Sequence, residues 1–588
     1  MVTGTRLRVG ALVAALALAG SIAVSVGAAA TARSVTTRSA TLRVGHEILH
    51  RCGGAWCGQL RVPLDYAIPD GPTISILFSW YPAEDQSAPV LGTVVPVEGG
   101  PGYPSIGSVA PDGYAAMYGP LLAHRNMLAV DLRGTGGSTV IGCPSLQNFD
   151  GSASGSTATS GFERVVAACA ASLNRRWRSP HGAFIHASDL FTSAVAARDL
   201  AGVLAALELG QVDLYGDSYG SWFAQVFASR YPSRVRSLTL DSTYAVDGLD
   251  PWYVSTIQAM PRDFDEACTR SPACAAAEHM PAWQRISELA ARLRSSPVTG
   301  TVPGPYGTDV HEQMGVVGLV DLVNDATEDT SIYAELDAAA SALLVQGDAA
   351  PLLRLYAQRL NYDEDYFGIP AQDYSAGLYL AVSCLDYPQL FNMDSSPAQR
   401  RAELAASERS YSRNAFAPFT IGEWLAQDQN TEAYTACLDW PSPKIAEPPV
   451  AAQGPRLPSH LPVLILGGEF DTWTPPSGIA QVQREIGGHS RVVIMANSTH
   501  VVAEGESTGC AVSVLRAFVS EPARLDQINA GCAAQVPAIQ SVGVFPSTVA
   551  QTPPLHPTGH GTHRRAVLDA SAAMVDTAGD AVIRYNAI

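Results

Sequence analysis

The sequence predicts an α/β fold, a mostly parallel, doubly wound sheet carrying a large, mainly helical inserted cap. Three observations predict it. Strand-like apolar runs alternate with helical patterns before about residue 245 and again after about residue 450, and that alternation builds a parallel sheet covered by helices on both faces. The apolar strand ending at Tyr215 runs through Gly216-Asp217-Ser218-Tyr219-Gly220 straight into a helical pattern with Trp222, Phe223, Val226 and Phe227. Between about 246 and 450 the chain is mostly helical, with Trp, Tyr and Pro scattered through it and no strand–helix alternation.

The elements follow in order. Arg6 and Arg8 precede an apolar run from Val9 to about Val26, and Ala28-Ala29-Ala30-Thr31-Ala32 comes next. This is the layout of a secretory signal peptide, residues 1–32, cleaved near Ala30 or Ala32. The run is long enough to suit an uncleaved anchor as well. Residues 33–45 read as a lead into the mature chain. A first core segment, 33–245, holds predicted strands at Leu60–Leu64, Thr73–Trp80, Gly92–Val97, Asn126–Asp131 and Val235–Leu240. Val195, Leu200, Val203, Leu204 and Leu207 recur at helical spacing and predict a helix over Ser193–Leu207. The cap takes 246–450. A second core segment, 451–535, adds strands at Leu461–Leu466 and Arg491–Met495. Residues 536–588 read as a Pro/Thr-rich linker and tail, with a helix and a short strand open to the final segment, Ala566–Ile588.

Composition excludes several classes. With 588 residues, 47% of them hydrophobic, the chain buries a large core. Its net charge is −18 and Lys444 is the sole lysine. Nucleic acid is therefore not expected as a partner, because neutralising phosphates needs a basic surface. No stretch after the first 32 residues is apolar enough to span a membrane, and no stable membrane partner is expected. Ten cysteines, an even number in a chain that reads as exported, favour disulfides. No C-x-x-C pair suggests a zinc ribbon. Sequential pairing would close five local loops, with Cys52–Cys57 and Cys268–Cys274 the most favoured. Cys384 and Cys437 lie in an internal echo, Ser383-Cys384-Leu385-Asp386-Tyr387-Pro388 against Ala436-Cys437-Leu438-Asp439-Trp440-Pro441. A disulfide between them is one reading; a substrate amine held by Asp386 or Asp439 is another.

The chemistry is carried by Gly216–Gly220, a G-x-S-x-G pattern in the setting of a nucleophile elbow. The turn is so tight that the residues two before and two after the serine must lack bulk. Such an elbow exposes the Ser218 hydroxyl and frees the Tyr219 amide to donate to an oxyanion. A second match, Gly505-Glu506-Ser507-Thr508-Gly509, has no strand feeding into it, and Ser507 reads as a turn or helix-cap serine. The elbow serine needs a base, and the base an orienting carboxylate. Asp471 follows the strand Leu461–Leu466 and His500 the strand Arg491–Met495, in the order serine, acid, histidine expected of this arrangement. His500 would take the Ser218 proton and return it to the leaving group, and Asp471 would fix the imidazole tautomer. Gly99-Gly100-Pro101-Gly102 follows an early strand where a second oxyanion donor belongs; the Gly100 amide is favoured, with Gly99 the alternative. The long gap from Ser218 to Asp471 leaves room for the cap.

These residues resemble the secreted actinobacterial tripeptidyl aminopeptidases, relatives of the proline iminopeptidases among α/β-hydrolases. The resemblance rests on Val62-Pro63-Leu64-Asp65-Tyr66, Gly99–Gly102, Val130-Asp131-Leu132-Arg133-Gly134, Gly216–Gly220, Gly468-Glu469-Phe470-Asp471 with Thr474-Pro475, and His500. It covers about 48–535 and implies hydrolysis of peptides from a free N-terminus, with Ser218, Asp471 and His500 as the triad. Proline iminopeptidases carry a histidine before Gly-Gly-Pro-Gly, where this chain has Glu98.

One rival motif exists. His46-Glu47-Ile48-Leu49-His50 fits the H-E-x-x-H zinc-protease pattern, which requires a helix to bring both histidines to one face. Cys52 and Gly53-Gly54 would end such a helix at once, so a structural or surface pair is the better reading. The sequence thus predicts a secreted serine exopeptidase that needs no cofactor or metal. A carboxylesterase acting on hydrophobic esters is the alternative, and a catalytically silent binding scaffold a third.

Overall fold

The computed structural model describes residues 41–586, apart from 111–112, 150–155, 278–279, 305–307, 367, 428–434, 445–446, 452–453 and 553–563. The expected signal peptide lies outside the described residues. Among the described residues twelve strands form: β1 Thr41–Val44, β2 Glu47–Cys52, β3 Ala55–Pro63, β4 Thr73–Tyr81, β5 Thr93–Val97, β6 Asn126–Val130, β7 Val212–Asp217, β8 Val235–Asp241, β9 Val298–Pro303, β10 Asp309–Met314, β11 Pro462–Gly468 and β12 His489–Met495. Ten of them make one sheet in the order β1-β2-β3-β4-β6-β5-β7-β8-β11-β12. From β6 to β12 the neighbours are parallel. β1 to β4 form an antiparallel meander that meets β6 antiparallel.

β5, β7 and β11 are buried along their whole length, which is why they read as unbroken apolar runs rather than alternating ones. Their residues still divide between two faces, as strand geometry demands. Val95, Val97, Leu214, Val463 and Ile465 enter one core. Val94, Tyr215, Leu464 and Leu466 enter the other. The helix predicted over Ser193–Leu207 runs from Ser193 to Ala206 and is capped by the Thr192 hydroxyl.

Part of the segment between β8 and β11, from Trp252 to Ala357 and again at Phe416, Phe419 and Trp424, folds around an apolar core of its own, to which the main fold adds Phe470, whereas Leu378, Leu380, Phe391, Leu438 and Trp440 enter the main core. Its helices include Val254–Arg270, Ala282–Ser295, Val316–Asp325 and Thr330–Ser341. The hairpin β9–β10 within it has no counterpart in the sequence reading.

Two of the quoted sequence motifs meet in the interior. Arg133 is fully buried and grips Asp199 with two contacts, Nε to Oδ2 at 2.6 Å and Nη2 to Oδ1 at 2.8 Å. It also donates to the Leu64 and Leu190 carbonyls, while the Tyr66 hydroxyl donates to Asp199. The guanidinium thus ties the Val62–Tyr66 turn to β6 and to the helix Ser193–Ala206.

All ten cysteines pair sequentially: Cys52–Cys57, Cys143–Cys169, Cys268–Cys274, Cys384–Cys437 and Cys510–Cys532. In the internal echo, Asp386 accepts from the Ser193 amide and Asp439 pairs with Arg401. The H-E-x-x-H residues lie on the β1–β2 hairpin, not on a helix, and His46 faces Glu208 at 3.2 Å.

The segment after residue 535, read as linker, docks on the loop after β12 and on the insertion. The Asn497 side chain donates to the Val536 carbonyl. Ser541 and Ser271 exchange hydrogen bonds, and the Val542 amide donates to Ala334 O at 2.7 Å. Ile539 and Phe545 pack on the insertion's core. A helix follows at Arg565–Asn586. Among the described residues no helix is long and apolar enough to cross a membrane.

Candidate active site

Ser218 sits between β7 and the helix Tyr219–Arg230 with φ 48° and ψ −122°. A non-glycine residue pays strain to hold this conformation, and the surroundings enforce it. A Cβ on Gly216 would lie 2.1 Å from Gly220 O, and one on Gly220 would lie 2.0 Å from Val97 O. The two glycines of the motif therefore let strand, turn and helix pack backbone to backbone. The Ser218 amide donates to Asp241 O at 3.0 Å. Ser507 is exposed in the turn before the helix Cys510–Ser520, whose first amides are capped by Glu506 instead.

Asp471 and His500 are brought together. His500 Nδ1 lies 2.8 Å from Asp471 Oδ2. The carboxylate can only accept, so Nδ1 carries the proton and Nε2 is left as the basic nitrogen. Asp471 is fully buried. Its Oδ1 accepts from the Trp473 amide (3.1 Å), the Thr474 amide (2.9 Å) and the Thr327 hydroxyl (3.1 Å), and its Oδ2 accepts from the Thr474 hydroxyl as well. Burial alone would raise its pKa. The adjacent His500 and the Thr474 hydrogen bonds outweigh burial and bring it down to about 2. Burial disfavours the charged form of His500, but the Asp471 charge and hydrogen bond override it and raise the imidazole above its ordinary value.

Ser218 and His500 are not hydrogen-bonded to one another. His500 Nε2 is buried without a partner among the described residues. Apo geometries of this kind tighten when substrate binds.

The His500 loop is held by groups that the sequence did not announce. Gly468 ends β11, where a Cβ would lie 2.1 Å from Thr499 O. The Val501 amide donates to the Ser242 hydroxyl at 2.7 Å. The carboxylate of Asp241, at the end of β8, accepts from the Val502 and Ala503 amides and from the Tyr215 hydroxyl. Asp241 thus anchors both the nucleophile turn, through its carbonyl, and the histidine loop, through its side chain.

The two candidate oxyanion donors, Gly100 and Tyr219, have amides with no acceptor among the described residues. The Gly99 amide is occupied: it donates to Asp217 Oδ2 at 3.1 Å and Glu98 Oε1 at 3.0 Å. That removes the Gly99 alternative. A Cβ on Gly99 would lie 3.0 Å from Ser218 Cβ, so this turn presses directly on the nucleophile.

Glu98 has a defined environment. The Tyr114 hydroxyl lies 2.9 Å from Glu98 Oε2 and 2.8 Å from Asp217 Oδ1. Burial and then the Glu98 and Glu504 charges push Asp217 well above the ordinary carboxyl range. Glu504, exposed, completes a trio whose oxygens lie within 4.8 Å of one another. The other cluster of metal-ligand type among the described residues, Cys268, Cys274 and Asp337, has both sulfurs locked in a disulfide.

Elbow, acid–histidine pair and sheet order together define an α/β-hydrolase. The chain matches the α/β hydrolase fold family over residues 92–506 and belongs to it. Among its relatives, the tripeptidyl aminopeptidase of Streptomyces lividans is 24% identical over 457 residues, 74% of this chain and 76% of that one. The serine protease Hip1 of Mycobacterium tuberculosis is 24% identical over 500 residues, 77% of this chain and 83% of that one. The solved proline iminopeptidase of Mycobacterium smegmatis aligns with 82% of this chain and 99% of its own, at 14% identity and a TM-score of 0.29.

Proposed function

We propose that the protein is a secreted serine exopeptidase that releases short peptides, three residues at a time, from a free N-terminus. The observation that carries this reading is the Asp471–His500 hydrogen bond in a chain that also holds an elbow serine and is similar over most of its length to two serine peptidases. In the proposed cycle the Ser218 hydroxyl attacks the scissile carbonyl while His500 Nε2 takes its proton. The Gly100 and Tyr219 amides receive the developing oxyanion. His500 then protonates the leaving amine, and water, activated by the same nitrogen, releases the acyl group. Asp471 keeps Nδ1 protonated and balances the imidazolium.

The insertion, proposed as a cap over 246–450, supplies the walls of the substrate site. Glu328, exposed in the turn before the helix Thr330–Ser341, is close enough to His500 to raise its pKa and offers negative charge to a substrate ammonium. Five disulfides fit an oxidising compartment, and with the N-terminal segment they support export.

A tripeptide arylamide with a free amine, its N-acetyl counterpart and a hydrophobic ester test the reading against the esterase alternative. Selective cleavage of the free-amine peptide is the expected result. Equal turnover of the two arylamides, or turnover of the ester alone, would overturn the exopeptidase assignment.

A further inference from the structure

We propose that Thr327, contributed by the insertion, is a positioning residue of the triad; this rests on the assignment of Asp471 and His500 given above. Thr327 lies in the short turn between the helices Val316–Asp325 and Thr330–Ser341 and is fully buried. It is 144 residues from Asp471 in sequence, yet its hydroxyl donates to Asp471 Oδ1 at 3.1 Å. The Thr327 hydroxyl oxygen accepts from the Thr472 amide at 3.3 Å. Its carbonyl accepts from the His500 amide at 3.1 Å. One residue therefore holds the acid by its side chain, the acid's loop through Thr472, and the base by its backbone.

The other donors to Asp471 do not do this. Trp473 and Thr474 belong to the acid's own loop, so they shape that loop without fixing it against the histidine. Thr327 bridges the two loops from a third element. The brace continues along the next helix, where the Tyr333 hydroxyl donates to Phe470 O at 3.1 Å and the Tyr333 ring packs on Phe470.

The hydroxyl uses both of its capacities, donating to a carboxylate and accepting from an amide. Only serine or threonine can fill that role at this size. Valine keeps the shape, removes the donor to Asp471 and strands the Thr472 amide. The Asp471 carboxylate would then face His500 with fewer donors sharing its charge and with more freedom to rotate. The insertion would thus act on the chemistry itself, not only on access to it.

The test is a kinetic comparison of wild type, Thr327→Val and Thr327→Ser on one peptide arylamide across pH, with Ser218→Ala in parallel. Thr327→Val is expected to lose about 10- to 100-fold in kcat, the scale of a hydrogen bond to a charged group. KM should hold within about 2-fold, since the lost interaction acts on the catalytic groups and not on bound substrate. The acid limb of kcat should move to higher pH, and Thr327→Ser should restore most of the rate. Wild-type kcat and pH profile in Thr327→Val would overturn the proposal, and so would an equal loss in Thr327→Ser. If Thr327→Val does not fold, Thr327→Cys replaces it, because a thiol donates only weakly; the proposal then requires kcat to fall from Ser to Cys, and equal rates would overturn it. Activity surviving in Ser218→Ala would mark failure of the triad assignment instead of failure of the Thr327 proposal.

Discussion

Replacing Asp471 with asparagine is expected to lower kcat by about 10⁴-fold while leaving the fold intact, the scale known for the same change in a serine-protease triad. The cause is the tautomer. Asp471 Oδ2 accepts from Nδ1 at 2.8 Å, and an amide nitrogen there would donate instead, moving the histidine proton to Nε2. The nitrogen that must take the serine proton would then already hold one. The same pair sets the pH dependence. His500 works as a neutral base, and its pKa is raised against burial by Asp471. Activity should therefore rise with pH through an inflection above the ordinary imidazole value. For stability the signs are opposite at the two ends. The Asp471 pKa is lowered to about 2, so its contribution is present above the unfolded carboxyl pKa and is lost as pH falls through about 2. The His500 contribution is complete below the unfolded imidazole pKa and is lost as pH rises through the raised one. Steady-state kinetics of Asp471→Asn with a circular dichroism check of folding tests the first point. An asparagine variant with near-wild-type kcat would contradict it.

The largest stability effect should come from the interior pair of Arg133 and Asp199. Both are buried, and the guanidinium supports three carbonyls besides the carboxylate. Arg133→Met is expected to destabilise by about 3–5 kcal/mol, because it leaves a buried carboxylate without its counter-charge. Removing both charges together, as Arg133→Met with Asp199→Leu, should cost less than Arg133→Met alone. Urea midpoints of the wild type and the two variants test this. A double variant weaker than the single one would mean that the carbonyl contacts, and not the stranded charge, dominate.

The parts of the molecule legible in the sequence are those with local causes. Gly216 and Gly220 mark the elbow because any side chain there would strike backbone. β5, β7 and β11 were readable because burial on both faces demands continuous apolar runs. Asp471 and His500 were readable because each follows a strand in an order set by the topology. Contacts between distant segments left no such trace. Thr327 and Asp241 look like ordinary polar residues until the fold sets them beside the acid and the histidine loop. The β1–β2 hairpin was hidden under a metal-like motif. The docked segment after residue 535 was hidden by its proline- and threonine-rich composition, though its backbone polar groups find partners on the insertion.

The measurement that bears most directly on the proposed mechanism is labelling of the intact enzyme with a fluorophosphonate, followed by peptide mapping and an activity assay. One phosphonyl group per chain on Ser218, arriving at the rate at which peptidase activity disappears and absent from His500→Ala, is the predicted result. Labelling at another residue, or full peptidase activity in fully Ser218-labelled enzyme, would contradict it.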